Sequence, residues 1–312
     1  MSAPLLSGTR WAVLRLHRGA LWGAAAFAAL AVLCTEVLRR SAEHAGAGTF
    51  LGFSDPGTFL GQYQEKTTLA VLLFPAVIGA FVGGPVLGRE LESGIDKFTL
   101  TQSVTPKRWL TARLNLCAAL AVGSALAALV VFRLSTSDTI GTMTAQNWML
   151  RGTYESTGPV LVAYCLFAVG TGALAGLLLR RTLLAVVAAG GLTGALMLAL
   201  GTLRWDLYPV ATATGAATDA ANVRIPGLPT GSFLVENGVL NPAGERFDDL
   251  HCLPEAAPGT DCPADTRVAG WYADYHPRSH FWYVQLIETG IVLALAAAAT
   301  YGAFWILRRR TP

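Results

Sequence analysis

Residues 88–113 read GRELESGIDKFTLTQSVTPKRWLTAR and place eight charged side chains between two long apolar runs. The residues before Gly94 favour helix, and Gly94 itself is typical of a helix C-terminus. A second helix is expected to begin at Thr105, because Thr is a common N-cap and Pro106 suits the first helical position. The sequence therefore predicts two helix ends joined by a short polar elbow, residues 88–113, at a membrane face.

Composition indicates that the chain lies in a lipid bilayer. The 312 residues are 53% hydrophobic and only 14% charged, whereas soluble domains carry about 25% charged residues. Several apolar runs are long enough to cross a membrane. The net charge of +3 is small, so the charge balance indicates no nucleic-acid partner. The sequence predicts an integral membrane protein.

Six apolar runs are predicted as transmembrane helices, and they define the domain organisation. The predicted fold class is an all-α membrane protein with six transmembrane helices and an extracellular loop subdomain between helices 5 and 6. Residues 1–19 carry three arginines and form either a cytoplasmic interfacial helix or a positive flank that fixes orientation. The other segments are helices 1–5 with the elbow in 20–203, the subdomain 204–281, helix 6 at 282–307 and a cytoplasmic tail, 308–312.

Basic residues predict the orientation of the six helices. Thirteen Lys and Arg lie in the two termini, the elbow and the turn at residues 180–181, against ten in the longer loops on the other side. Short cytoplasmic segments are enriched in Lys and Arg, so both termini and the elbow are predicted to be cytoplasmic. The use of 20 Arg against 3 Lys is typical of high-GC bacterial genomes, which predicts a bacterial cell membrane.

Two pairs of glycines lie four residues apart in the fourth and fifth predicted helices. Gly172 with Gly176, and Gly190 with Gly194, are patterns of small residues that allow helices to approach closely in lipid. Only two arginines separate these helices. A tight helical hairpin is therefore predicted.

Two cysteines lie in the predicted extracellular segment. Cys252 and Cys262 are separated by nine residues, whereas the other three cysteines fall in or beside predicted helices. A disulfide is predicted between them, and closing so short a loop contributes about 2 to 3 kcal/mol in the chain-entropy model. The alternative is a metal site of His251 and both cysteines with Asp248 or Asp249. Its spacing matches no familiar zinc pattern, so no metal is predicted.

Glu288 lies about two turns inside the sixth predicted helix, where an unpaired carboxylate costs at least about 2.5 kcal/mol. It therefore needs a partner, for which Arg39 and Arg133 at outer helix ends are candidates, or a water-filled path. Glu288 is either a path or gate residue for a substrate or a structural residue in an interhelical hydrogen bond.

The elbow carries a family resemblance. Glu90-Leu91-Glu92-Ser93-Gly94, Thr101-Gln102-Ser103-Val104 and Lys107-Arg108-Trp109-Leu110 resemble the loop after the second span of ABC-2 type permeases, above all those of actinobacteria. Ile95 and Arg113 stand where many members have Thr and Lys. The resemblance extends loosely over the whole chain in the number and spacing of spans, and near the last span in Trp282, Gln285 and Glu288-Thr289-Gly290.

This resemblance implies that the elbow docks on a separate ABC ATP-binding subunit. The coupling residues that it implies are Arg89, Glu90, Glu92, Gly94, Lys107 and Arg108. It also implies an assembly of two six-span permease subunits, identical or paralogous, with two ATPase subunits. The ATPase subunits hold ATP and Mg, and this chain binds neither. The charge pattern of the elbow is by itself also compatible with an ordinary solvated loop.

The predicted function is therefore the permease subunit of an ABC transporter that moves an amphipathic substrate. The chain is predicted not to be an enzyme, because it has no Gly-x-x-x-x-Gly-Lys-Ser/Thr loop, no His-Glu-x-x-His and no Gly-x-Ser-x-Gly turn. The alternative is a membrane-embedded enzyme or sensor that uses the extracellular segment 204–281.

Overall fold

A computed structural model describes residues 18–45, 49–94, 105–136, 148–217, 228–247, 252 and 262–310. The chain divides into two compact units. We call the first the helical unit and the second the sheet unit. The helical unit comprises Met1–Met143, Arg151–Thr202 and Gln285–Pro312, and the sheet unit comprises Thr144–Leu150 and Leu203–Val284. The sheet unit thus contains the predicted subdomain, residues 204–281, together with a short segment from earlier in the chain.

Most of the described chain is helical. Their bounds are α1 Arg18–His44, α2 Pro56–Ile78, α3 Gly84–Glu92, α4 Pro106–Thr136, α5 Thr153–Thr157, α6 Val160–Leu179, α7 Thr182–Leu203 and α8 Phe281–Arg310. A five-residue π-helix, Gly79–Gly83, joins α2 to α3 without a break.

Within the described residues, five helical stretches are long and apolar enough to cross a membrane. They are Pro56–Glu92, Pro106–Leu134, Val160–Leu179, Thr182–Asp206 and Arg278–Arg310. The first predicted span lies in α1, which is not among these five, so the count of six spans stays a prediction. Residues 1–17 of the predicted interfacial helix lie outside the described residues.

Helix α6 forms the centre of the helical unit. Its span is 83% buried within the chain, against at most 35% for the other four spans. Apolar side chains of α2 and α4, including Ile78 and Phe132, pack with Leu161 of α6, and all three are less than 10% exposed. The outward faces of the other helices remain apolar, as expected for surfaces in contact with lipid.

Glycines bring the α2–α3 helix against α6 and α7. A Cβ atom on Gly172 would overlap the backbone of Gly83, and one on Gly83 would lie 2.6 Å from the Ala168 carbonyl oxygen. Gly84 meets the backbone of α7 in the same way. We call this contact, formed by Gly83, Gly84 and Gly172, the glycine seam. Of the predicted small-residue positions, Gly172 lies in the seam, whereas Gly194 has open space around it.

The described part of the sheet unit contains a four-stranded antiparallel sheet. Its strands are β1 Ala211–Ala216, β2 Phe233–Leu240, β3 Arg246–Phe247 and β4 Gly270–His276, in the order β1-β4-β2-β3. The central strand β4 is almost wholly buried. Ala213 of β1 and Asn237 of β2 both lie opposite Ala273 of β4, so β4 is paired on both edges.

The prediction of an all-α protein is therefore wrong for this part of the chain. The physical reason is local. The β1 sequence Ala-Thr-Ala-Thr alternates small and β-branched residues with the period of a strand, and β4 is rich in aromatic residues that favour sheets. Both patterns are short and lie among prolines and glycines, which signalled only a loop-rich segment.

Candidate coupling site

The described parts of the elbow are the end of α3 and the start of α4, since residues 95–104 lie outside the described residues. The Ser93 backbone N–H donates to the Arg89 carbonyl at 3.1 Å, and Gly94 has a φ of 71°. Glycine adopts this left-handed conformation without strain. Helix α4 begins at Pro106, and the hydroxyl of Thr105 accepts from the Arg108 backbone N–H at 3.4 Å. The sequence signals for both helix ends therefore correspond to their positions.

Glu90 joins α3 to α4. An oxygen of its carboxylate lies 2.5 Å from the guanidinium of Arg113, and the two side chains are only 20% and 14% exposed. Charge-assisted contacts of this kind are stronger when water is largely excluded. Glu90 is thus engaged within the chain, and its partner Arg113 is a residue for which the sequence predicted no coupling role.

Glu92 joins α3 to α7. Its Oε2 accepts hydrogen bonds from the backbone N–H of Thr182 at 2.9 Å and from the Thr182 hydroxyl at 2.5 Å. Thr182 is the first residue of α7, where backbone N–H groups have no partner within the helix. A carboxylate at this position satisfies such a group and interacts favourably with the helix dipole. Sequence reasoning could not find this contact, because 90 residues separate the two side chains.

Three of the predicted coupling residues point outward. Arg89, Lys107 and Arg108 are exposed, on α3 and at the start of α4. The predicted set therefore divides into two groups. Glu90 and Glu92 bind neighbouring helices, whereas the three basic residues are accessible at the same helix ends.

Glu288 is fully buried in α8 and has a partner on α6. The hydroxyl of Tyr164 donates to Glu288 Oε1 at 2.6 Å, and neither side chain has exposed surface. The two candidate partners have other contacts. Arg39 pairs with Glu36 and Glu43, and Arg133 donates to the Thr157 carbonyl at 3.4 Å. The contact with Tyr164 is an interhelical hydrogen bond.

Gln285, one turn before Glu288, extends this buried polar cluster. Its amide nitrogen donates to the Tyr154 carbonyl at 2.8 Å, and its amide oxygen accepts from the Val160 N–H at 3.4 Å. A Cβ atom on Gly158 would overlap the Gln285 side chain. The cluster thus connects α8 to α5 and to the start of α6. The sequence does not predict this connection, because a polar residue in an apolar stretch does not indicate which residues it contacts.

The two cysteines of the sheet unit form a disulfide in the structure. Cys252 and Cys262 are joined, and Cys252 packs on Val239 and Phe247 of the sheet. The residues of the alternative metal site, His251 with Asp248 or Asp249, lie outside the described residues. Within the described ranges, no group of three His, Cys, Asp or Glu side chains could hold a metal ion.

Comparison with known proteins adds one finding. Residues 54–204, from the loop before α2 to the end of α7, match the family model described as ABC-2 membrane transporter related. No curated protein and no solved structure matches the chain. The matched region includes the whole elbow, which ends at Arg113, and also Thr182 of α7.

Proposed function

We propose that this chain, an ABC-2 type permease, is the membrane-spanning subunit of an ATP-driven transporter. It receives force at the elbow from a separate ATP-binding subunit. A second copy or a paralogue completes the assembly, and the partner subunit holds ATP and Mg. The substrate is amphipathic, because the spans are apolar with few interior charges. Both termini and the elbow face the cytoplasm of a bacterial cell.

The double attachment of α3 supports this proposal. Glu90 binds Arg113 of α4, and two residues later Glu92 binds Thr182 of α7. A displacement of α3 is therefore passed to two other spans, α4 and α7. An ordinary solvated loop needs neither contact.

We assign different roles to the two groups of elbow residues. The exposed side chains Arg89, Lys107 and Arg108 dock on the ATP-binding subunit, because basic side chains steer and orient an acidic partner surface. Glu90 and Glu92 transmit the movement within the permease. Gly94 allows the chain to leave α3 in a left-handed turn.

Docking is tested by reversing the exposed charges. The triple variant Arg89→Glu, Lys107→Glu and Arg108→Glu is co-expressed with the ATP-binding subunit, and copurification is measured in mild detergent. We expect recovery of the ATPase to fall at least tenfold, since several interface charges change sign. Arg180→Glu is the control, because Arg180 is an exposed arginine outside the elbow.

Transmission is tested separately. Glu92→Ala removes the contact with Thr182 while leaving the three basic residues in place. This variant is expected to copurify with the ATPase as the wild type does, but to lose most transport-linked ATP hydrolysis in liposomes. Wild-type copurification of the triple variant would contradict docking at the elbow, and undiminished coupling in Glu92→Ala would contradict the role of the second attachment.

A further inference from the structure

An open apolar groove lies on the side of the helical unit. Its volume is about 510 Å3, within the range of small-molecule sites. The groove is lined by α4, α6 and α8, with Ala118, Val169 and Ala297 on its walls. Two polar side chains, Asn115 and Thr300, are also part of the lining.

The groove opens towards the lipid-facing surface. Leu293 and Tyr301 form part of its rim and are 41% and 70% exposed. Both lie in a helix that is apolar enough to cross a membrane. The material that surrounds the opening is therefore lipid hydrocarbon, and a flexible acyl chain is the shape that fits an elongated apolar groove between helices.

Exposed basic residues continue the groove at one end of the bundle. Arg308 follows the lining residue Phe304 by four positions, which places both on one face of α8. Arg108 precedes Asn115 by seven positions, two turns along one face of α4. Trp109 and Leu307 belong to one buried cluster, so these ends of α4 and α8 lie together.

We propose that the groove binds an anionic phospholipid, with an acyl chain along the helices and the headgroup on Arg308 and Arg108. Basic side chains between helix ends attract anionic headgroups of the cytoplasmic leaflet. Asn115 lies about 10 Å further along α4 than Arg108. It supplies a hydrogen-bonding group below the headgroup. Arg108 also belongs to the proposed docking surface, but the lipid site itself requires only that the helices span a membrane.

Two variants separate the chain-binding and headgroup-binding parts of this site. Ala297→Trp fills the groove from its exposed side, and Ala298→Trp is the matched control because Ala298 is also exposed but does not line the groove. Arg308→Gln removes a headgroup charge. Arg180→Gln is its control, since it changes the net charge equally at another exposed arginine.

The test uses the permease chain alone, so it is independent of docking to an ATPase. Native mass spectrometry measures lipid retained after incubation with phosphatidylglycerol or with phosphatidylcholine of the same acyl chains. The wild type is expected to retain phosphatidylglycerol in preference. Ala297→Trp should reduce that retention at least fivefold, and Arg308→Gln should reduce the preference about fivefold, while both controls behave as the wild type.

Three results would overturn the proposal. They are equal retention of the two lipids, wild-type retention by Ala297→Trp, and loss of retention in the controls to the same degree. A shift to a dimer that is abolished by Ala297→Trp, without preferential lipid retention, would show that a second copy of the chain covers the groove instead.

Discussion

At the scale of single residues, Glu288 and Tyr164 form a fully buried contact between α8 and α6. A carboxylate in a membrane-spanning helix is costly unless it is paired or hydrated, and the Tyr164 hydroxyl supplies a donor at 2.6 Å. Removing one partner of a buried hydrogen bond leaves the other without compensation for lost hydration.

Substitutions of Glu288 distinguish its structural role from a role in a substrate path. Glu288→Gln retains an acceptor for the Tyr164 hydroxyl and should unfold at nearly the wild-type temperature. Glu288→Leu removes the acceptor of this hydrogen bond, and its unfolding free energy should fall by about 1–3 kcal/mol. Thermal unfolding in detergent measures both. If Glu288→Gln assembles normally but abolishes transport, the carboxylate charge itself acts in the path.

We expect His276 to make the sheet unit sensitive to pH. It is fully buried, with Nε2 3.2 Å from the Trp205 carbonyl oxygen and Nδ1 3.1 Å from Nδ1 of His280. The nitrogen pair requires one donor and one acceptor, so the neutral ring fits this site. Burial lowers the pKa of His276 below its usual value of 6.5; the hydrogen bond with the Trp205 carbonyl opposes this shift, and the charge of His280 adds to it.

The sign of the pH effect follows from this shift. Above about pH 6.5 both folded and unfolded His276 are neutral. As the pH falls through that value the unfolded chain takes up a proton before the folded chain does, so the folded sheet loses stability. Proteolysis of the sheet unit should therefore be faster at pH 5.5 than at pH 7.5. His276→Gln should weaken this difference, whereas the exposed His44→Gln should leave it unchanged.

The sequence identified Glu288 and the two cysteines because each is conspicuous by residue type or position. It did not identify Tyr164, because a tyrosine in an apolar helix has no distinctive spacing. Thr182 was equally hidden, since its contact with Glu92 depends on the packing of α3 against α7. Contacts between residues that are far apart in the sequence cannot be predicted without the tertiary arrangement.

At the scale of elements, the glycine seam sets how closely α3 approaches α6 and α7. Van der Waals packing rather than the hydrophobic effect drives helix association in lipid, so lost proximity is not compensated elsewhere. Even one added methyl group at Gly172 overlaps the backbone of Gly83.

A pair of alanine substitutions tests the seam. Gly172→Ala should destabilise the helical unit by about 1–3 kcal/mol through overpacking. Gly194→Ala meets open space and should be neutral or slightly stabilising, because Ala has the higher helix propensity. Unfolding temperature and yield from membranes measure the difference. Equal effects of the two substitutions would show that α6 can move away from α3 without cost.

Element types were predictable where the apolar pattern is long. Five helical stretches follow from runs of about twenty apolar residues, whereas the sheet arises from strands of two to eight residues. The Gly84 and Gly88 pair, four residues apart, was also present in the sequence as a packing signal.

At the scale of the whole molecule, orientation is the property that the coupling proposal requires. Single cysteines test it in intact cells, in a background where the exposed Cys34 is replaced by Ser. A cysteine at Lys107 should be protected from a membrane-impermeant thiol reagent, and one at Ala243, an exposed residue of the sheet unit, should be labelled. The reverse pattern would place the elbow outside the cell and exclude an ATP-binding partner there.

The π-helix Gly79–Gly83 contains, in effect, one residue more than an α-helix of the same rise would need, since the Gly84 N–H reaches back five positions to the Gly79 carbonyl. Deleting Phe81 should therefore restore regular winding and preserve the phase between α2 and α3. Deleting Leu72 from within α2 should instead rotate the preceding part of α2 by about 100° relative to the glycine seam. When deletions along this span are compared by yield and unfolding temperature, the span should tolerate the loss of one residue only within the π-helix Gly79–Gly83.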